Sequence, residues 1–166
     1  VPSSTSGSIV PRLVVKGNAT LSNTPLTNSG DWLTYVDVYS GGRLTVSNCD
    51  IQVYRWGYKA GSRGWIDGGN LNTTPLNILS SDVHVWRTSL GGPITIQNAL
   101  PGLRENNFQI GSTIAVTGSP SAHIDAVGNY WNTTDPAEIA ARITDHDDNA
   151  TRPYADVAPF RPAAVE

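Results

Sequence analysis

One short phrase returns five times along this chain, and it constrains the fold more than any other feature. A polar or small pair is followed, three residues later, by a large apolar residue. The phrases close on Leu21, Ile51, Val83, Phe108 and Trp131. Recurrence at steps of 30, 32, 25 and 23 residues marks a repeat architecture, in which each unit buries its apolar side only by stacking on its neighbours. Function is then expected on the stacked outer surface rather than in a cleft between domains.

The residues between the phrases are strand-like. Short apolar runs, such as Arg12 to Val15, Leu33 to Val38, Leu44 to Val46, Leu76 to Leu79, Val83 to Val85, Ile94 to Ile96 and Thr113 to Val116, are separated by Gly, Asn, Pro or Ser clusters. Around the second phrase Leu44, Val46, Ile51 and Val53 alternate with Thr45, Ser47, Asp50, Gln52 and Tyr54. Period-2 alternation sends the first set inward and the second outward. Around the third phrase Leu76, Ile78, Val83 and Val85 point inward, and Asn77, Asp82, His84 and Trp86 outward. The two longest steps, Leu21 to Ile51 and Ile51 to Val83, read as carrying insertions, one over 24–31 and a larger one from Trp56 to Pro75. Insertions in a stacked repeat map to loops and often to the binding face. A helix is expected near the C-terminus. Asp135 suits the N-cap, Pro136 the first turn, and Glu138 would complete a capping box, with Ile139 and Ile143 on one face.

Composition narrows the function classes. A chain of 166 residues fits one domain with a core of its own. A net charge of −3 argues against nucleic acid, which calls for a basic face. Charged residues make up 15%, against about 25% in ordinary domains, and only Lys16 and Lys59 are lysines. The surface is therefore built mainly from neutral hydrogen-bonding groups. No apolar run approaches the roughly 18 residues of a membrane span, so no membrane partner is expected. The single Cys49 excludes an intrachain disulfide and reads as a small buried hydrophobe. The Ser/Thr/Pro-rich start reads as a linker remnant over 1–11, followed by a domain over 12–160 and a tail over 161–166. The expectation is a secreted or cell-surface module belonging to a larger multidomain chain.

The stretch from Val127 to Ile139 (VGNYWNTTDPAEI), followed by Ile143, the acidic residues 145–148 and the run from Pro153 to Phe160 (PYADVAPF), resembles the closing segment of right-handed parallel β-helix proteins of the pectate-lyase-like superfamily. Asn18, Asn48 and Asn129 look like the turn positions where that fold stacks asparagines. The resemblance implies an all-β, right-handed parallel β-helix of about five coils with a short C-terminal capping helix. It also implies contact with polysaccharide, because the superfamily includes lyases, hydrolases, epimerases, tailspikes and non-catalytic sugar-binding modules.

Setting the second and third phrases in register, with Ile51 over Val83, predicts outward columns. Gln52 would neighbour His84, Tyr54 would neighbour Trp86, Arg55 would neighbour Arg87, and Asp50 would neighbour Asp82. The expected ligand-binding set is Tyr54, Trp86, Trp56, Trp65, Arg55, Arg87, Gln52, His84 and Arg63. Aromatic rings offer flat apolar surfaces to sugar C–H faces, and Arg, Gln and His bind hydroxyls or carboxylates. The plain alternative is a cross-strand aromatic pair without a ligand. An enzyme reading, lyase or glycoside hydrolase, would use Asp50, Asp82 and Arg87, since hydrolysis needs two carboxylates about 5–9 Å apart. Asp145, Asp147 and Asp148 have a spacing that could serve Ca²⁺, or could form a solvated acidic turn. A third reading is a structural, tailspike-like segment.

Overall fold

The computed structural model describes residues 12–25, 35–73 and 75–164. The linker read over 1–11, most of the insertion read over 24–31, the first two residues of the run from Leu33, and the end of the tail lie outside the described residues. The chain is an all-β parallel solenoid of about five turns with one short helix among the described residues, near the C-terminus.

Two parallel sheets form its walls. The first sheet stacks β1 (Arg12–Val15), β3 (Tyr35–Val38), β5 (Arg55–Tyr58), β7 (Leu76–Ile78), β10 (Pro93–Gln97), β13 (Thr113–Thr117) and β15 (Ile143–Thr144). The second sheet is bent and has two limbs. One limb carries β2 (Asn18–Ser22), the first half of β4 (Arg43–Val53) and of β6 (Arg63–Thr73), then β8 (Val83–Trp86), β11 (Gly102–Arg104), β14 (His123–Asp125) and β16 (Tyr154–Asp156). The other limb carries the second halves of β4 and β6, then β9 (Ser89–Gly91) and β12 (Asn107–Phe108).

The bend between the limbs is a column of left-handed residues: Asn48 (φ 50), Gly68 (φ 75), Arg87 (φ 46), Glu105 (φ 55) and Gly128 (φ 70). Behind them runs an inward column of small or polar residues, Cys49, Gly69, Thr88, Asn106 and Asn129. Asn106 Oδ1 accepts the Thr88 N–H at 3.1 Å, and Asn129 Oδ1 accepts the Asn106 N–H at 2.7 Å. Their amides donate to the Val85 and Leu103 carbonyls. The corner would otherwise bury unpaired backbone groups, and this ladder satisfies them. The expected asparagine stack is therefore real at Asn129. Its partner is Asn106. Asn48 lies in the bend column and Asn18 on β2 beside Arg43.

The expected alternation holds where it was read. Leu44, Val46, Ile51, Val53, Leu76, Ile78, Val83 and Val85 are all buried. Each such side chain contributes about 1.5–3 kcal/mol on leaving water. Phe108 and Trp131 stack in the core with ring centroids 4.0 Å apart. Cys49 is buried as expected.

The expected register does not hold. Ile51 pairs with Leu71, Leu71 with Leu90, and Leu90 with Phe108. The span from Ile51 to Phe108 thus holds three turns, not two. The stretch from Trp56 to Pro75 is no insertion: it belongs to one complete turn, built on β5 and β6. Leu21 and Val83 close similar phrases but lie on the other limb, where Leu21 pairs with Val46 and Val83 with Gly64. Trp56 is consequently in the core, fully buried beside Tyr58, and is withdrawn from the binding set.

The helix is α1 (Pro136–Ala140), shorter than expected, with Ile143 already in β15. Asp135 caps it by accepting the Ala137 N–H at 2.8 Å. The reciprocal half of the capping box is replaced, because the Asp135 N–H goes to Thr133 Oγ1. Ile139 is buried against the last turn of the stack.

Candidate functional site

The outer face of the first limb carries the chain's described surface tryptophans. Strand alternation points Trp65, His84, Gly102 and Asp125 outward in one column, each beside the next across the parallel ladder. The neighbouring outward column holds Asp67, Trp86 and Arg104. Trp65 therefore meets both His84, with ring centroids 5.5 Å apart, and Trp86, at 6.1 Å. The two indoles are tilted by 38° and half-buried, so they present a continuous, slightly angled aromatic platform.

The platform is braced from the bend. The Trp86 indole Nε1 donates to Glu105 Oε2 at 3.0 Å. Arg87 grips Asp67 with two hydrogen bonds, Nε to Oδ1 at 2.9 Å and the terminal nitrogen to Oδ2 at 2.6 Å. Asp67 raises the Arg87 pKa, first through these hydrogen bonds and then through its charge. Both Arg87 and Glu105 adopt left-handed backbone, which costs a non-glycine residue about 1–2 kcal/mol. At three other positions of the same column the chain uses Asn or Gly, for which this conformation is cheap. Two charged residues are thus held in strained backbone beside the tryptophans, a pattern that clusters at functional sites.

Two depressions flank the platform. A groove of about 320 Å³ runs between Trp86 and His84 on one side and Arg104 and Asp125 on the other. Gly102 is its floor: a Cβ there would lie 2.9 Å from His84 Nδ1. Arg104 and Asp125 form an ion pair along their side of the groove, leaving their outer edges to solvent. On the other side, over the bend, a more polar cleft of about 500 Å³ is bordered by Asn48, Asp67, Asn70 and Arg87. It exists because Gly68 and Gly69 lack side chains. A Cβ at either would come within 2.3 Å of Asn48 Oδ1 or the Cys49 carbonyl.

The expected binding residues divide accordingly. Trp65, His84, Trp86 and Arg87 come together. Arg63 lies on the rim, 3.7 Å from Asp82. Tyr54 is well exposed, but it lies in the turn after β4, on a different face from Trp86. Gln52 is on the second limb beside Asn72, and Arg55 is on the first sheet beside Tyr35. The predicted Tyr54–Trp86, Arg55–Arg87 and Gln52–His84 neighbours are thus corrected, for the single reason that the step from Ile51 to Val83 hid a change of turn and of limb. Arg104, Asp125 and Glu105 complete the site and were not foreseen. The signal for them was present in the similar triplets Gly41-Gly42-Arg43 and Gly61-Ser62-Arg63, which lie one turn apart and set the true register.

The set considered for catalysis does not assemble. Asp50 accepts a hydrogen bond from Asn70 at 2.6 Å on the second limb. Asp82 faces Arg63 at the start of β8, and Arg87 is committed to Asp67. The acidic residues considered for Ca²⁺ fold onto their own backbone. The Asp145 carboxylate accepts the N–H groups of Asp147 and Ala155, and Asp148 accepts that of Asp145. Among the described residues, no group of three or more His, Cys, Asp or Glu side chains is arranged to hold a metal ion.

No protein-family model, curated protein or solved structure matches this chain. The fold itself defines its class, a parallel β-solenoid with an aromatic outer face.

Proposed function

We propose that this chain is an extracellular polysaccharide-binding module of the pectate-lyase-like β-helix type, and that Trp65, His84 and Trp86 form its sugar platform. The observation that carries the reading is the convergence of two tilted indoles and an imidazole on one outer face, flanked by a groove and a polar cleft. Rings so placed suit the C–H faces of successive sugar units, whose hydroxyls then meet Arg104, Asp125 and Asn70 at the edges. Bracing by Glu105 and by the Arg87–Asp67 pair fixes the rings beforehand, which lowers the ordering cost of binding. The dispersal of Asp50, Asp82 and Arg87 favours binding over a lyase or hydrolase built on those residues.

The test is electrophoresis of the native protein through gels containing neutral and acidic polysaccharides. Retardation by at least one polymer is expected, with unchanged migration in a polymer-free gel. Failure of every polymer in a broad panel to slow the protein would sink the proposal.

A further inference from the structure

The first sheet carries a second chemistry, on another face of the solenoid. In its first three strands the outward residues form a three-by-three grid. One row is Arg12, Tyr35 and Arg55, the middle row is Val14, Asp37 and Gly57, and the last row, just past the strand ends, is Lys16, Tyr39 and Lys59. Cations occupy all four corners, tyrosines the middle of two edges, and a single carboxylate the centre. Both lysines of the chain are here, in a protein whose net charge is −3. From strand spacing and rise, the grid measures about 10 Å by 13 Å.

Asp37 organises the corners without being available itself. Its side chain has no exposed surface, and it sits above Gly57, where a Cβ would lie 3.3 Å from Oδ1. Arg12 donates from Nε to Asp37 Oδ2 at 2.8 Å and from a terminal nitrogen to the Tyr39 hydroxyl at 2.6 Å. Arg12 therefore suffices to pair the carboxylate. Arg55 and Lys59 face it only at ion-pair distance, 3.5 Å and 3.9 Å, and Asp37 Oδ1 has no hydrogen-bond partner. Arg55 lies over the Tyr35 ring at 5.1 Å, and Lys16 over the Tyr39 ring at 5.9 Å, so the tyrosines hold these cations against the sheet. The side chains of Arg12, Arg55 and Lys59 are each somewhat under half exposed.

We infer that this grid is an oxyanion site, in which Arg55 and Lys59, steered by the buried Asp37, bind a carboxylate or sulfate group. An arriving anion meets guanidinium and ammonium donors, since the carboxylate beneath them is covered. Four positive groups around one negative leave an excess that a multi-oxygen anion neutralises, and Arg55 supplies the planar fork that such groups match. The site is independent of the tryptophan platform, which lies on the other sheet.

Isothermal titration of the protein with dextran sulfate and with polygalacturonate, at about 0.15 M salt and against neutral dextran, tests the inference and separates sulfate from carboxylate. Binding to at least one of the two charged polymers is expected. Arg55→Gln combined with Lys59→Gln should weaken it about tenfold or more, as for loss of hydrogen bonds to charged groups. Arg152→Gln combined with Arg161→Gln removes equal charge beside the last strands of the stack and should change it less than about twofold. Lys59→Gln alone, which leaves the Arg12–Asp37 pair intact, should produce a smaller loss in the same direction. Equal weakening by both double variants would reduce the site to diffuse surface charge and overturn the inference. So would the absence of binding to either charged polymer by the unmodified protein.

Discussion

Trp65 and Trp86, on adjacent strands of one sheet limb, bring their rings to 6.1 Å on the outside of the solenoid, where no core packing requires them. A cross-strand aromatic pair contributes at most about 1 kcal/mol to a sheet. The surrounding investment is larger than that return. It includes two non-glycine residues in left-handed backbone, a bidentate Arg87–Asp67 pair and a glycine floor beneath His84. These features make one arrangement when they are taken as a pre-formed ligand surface.

Gly102 offers a direct probe of the groove. Gly102→Ala would push against the tip of His84, an exposed side chain that can shift at little cost. The substitution should therefore leave the urea midpoint nearly unchanged while narrowing the groove. The expected result is a severalfold loss of affinity for any polysaccharide the protein retains. A midpoint shift without loss of binding would assign Gly102 a packing role only.

Tyr58 should set the alkaline limit of stability. Burial pushes its phenol well above the ordinary value of about 10. The Trp56 indole acts the other way to a lesser degree, without reaching hydrogen-bond geometry, and the Tyr58 hydroxyl has no partner. Above pH 10 the unfolded chain ionises this tyrosine while the folded one keeps its proton. Stability from this group is then complete below about pH 10 and falls by up to about 1.4 kcal/mol per pH unit above it. Tyr58→Phe should flatten that decline. At neutral pH it should match or exceed the parent protein in stability, because it removes a buried hydroxyl with no partner. Denaturant midpoints measured from pH 7 to pH 11 would show both effects.

Asn129→Ala should be the most damaging polar substitution in the corner ladder. Its side chain accepts from the Asn106 N–H and donates to the Leu103 and Ala126 carbonyls, all within 2.6–2.7 Å. Losing it strands buried backbone groups that each cost about 1–3 kcal/mol. A fall of about 3 kcal/mol or more in unfolding free energy is expected by urea titration. A loss below about 1 kcal/mol would mean that water replaces the amide.

The architecture was legible because its signal is local. Leu44, Val46, Ile51 and Val53 alternate with polar residues whatever lies beside them, and Asp135 and Pro136 mark the helix start by their own chemistry. The site was not legible because it depends on register, which is long-range. Both limbs of the bent sheet follow a corner with small or polar residues and then an apolar one. Val83 on one limb therefore imitates Ile51 on the other. Aligning them skipped a turn, placed Trp56 outside and separated Trp86 from its true neighbour, Trp65. The grid around Asp37 was not legible for a related reason: Arg12, Asp37 and Lys59 have no motif in sequence and meet only once β1, β3 and β5 stack.

The claim that Trp65 and Trp86 form a polysaccharide platform is tested most directly by calorimetric titration of the polymer that retards the protein in gels, using the parent chain and Trp65→Ala combined with Trp86→Ala. Both rings are on the outer face but partly buried, so the double variant should unfold at a lower urea concentration while remaining folded in water, where the titration is made. The account predicts at least a roughly tenfold loss of affinity with the fold retained. Equal affinity in the folded double variant would contradict it.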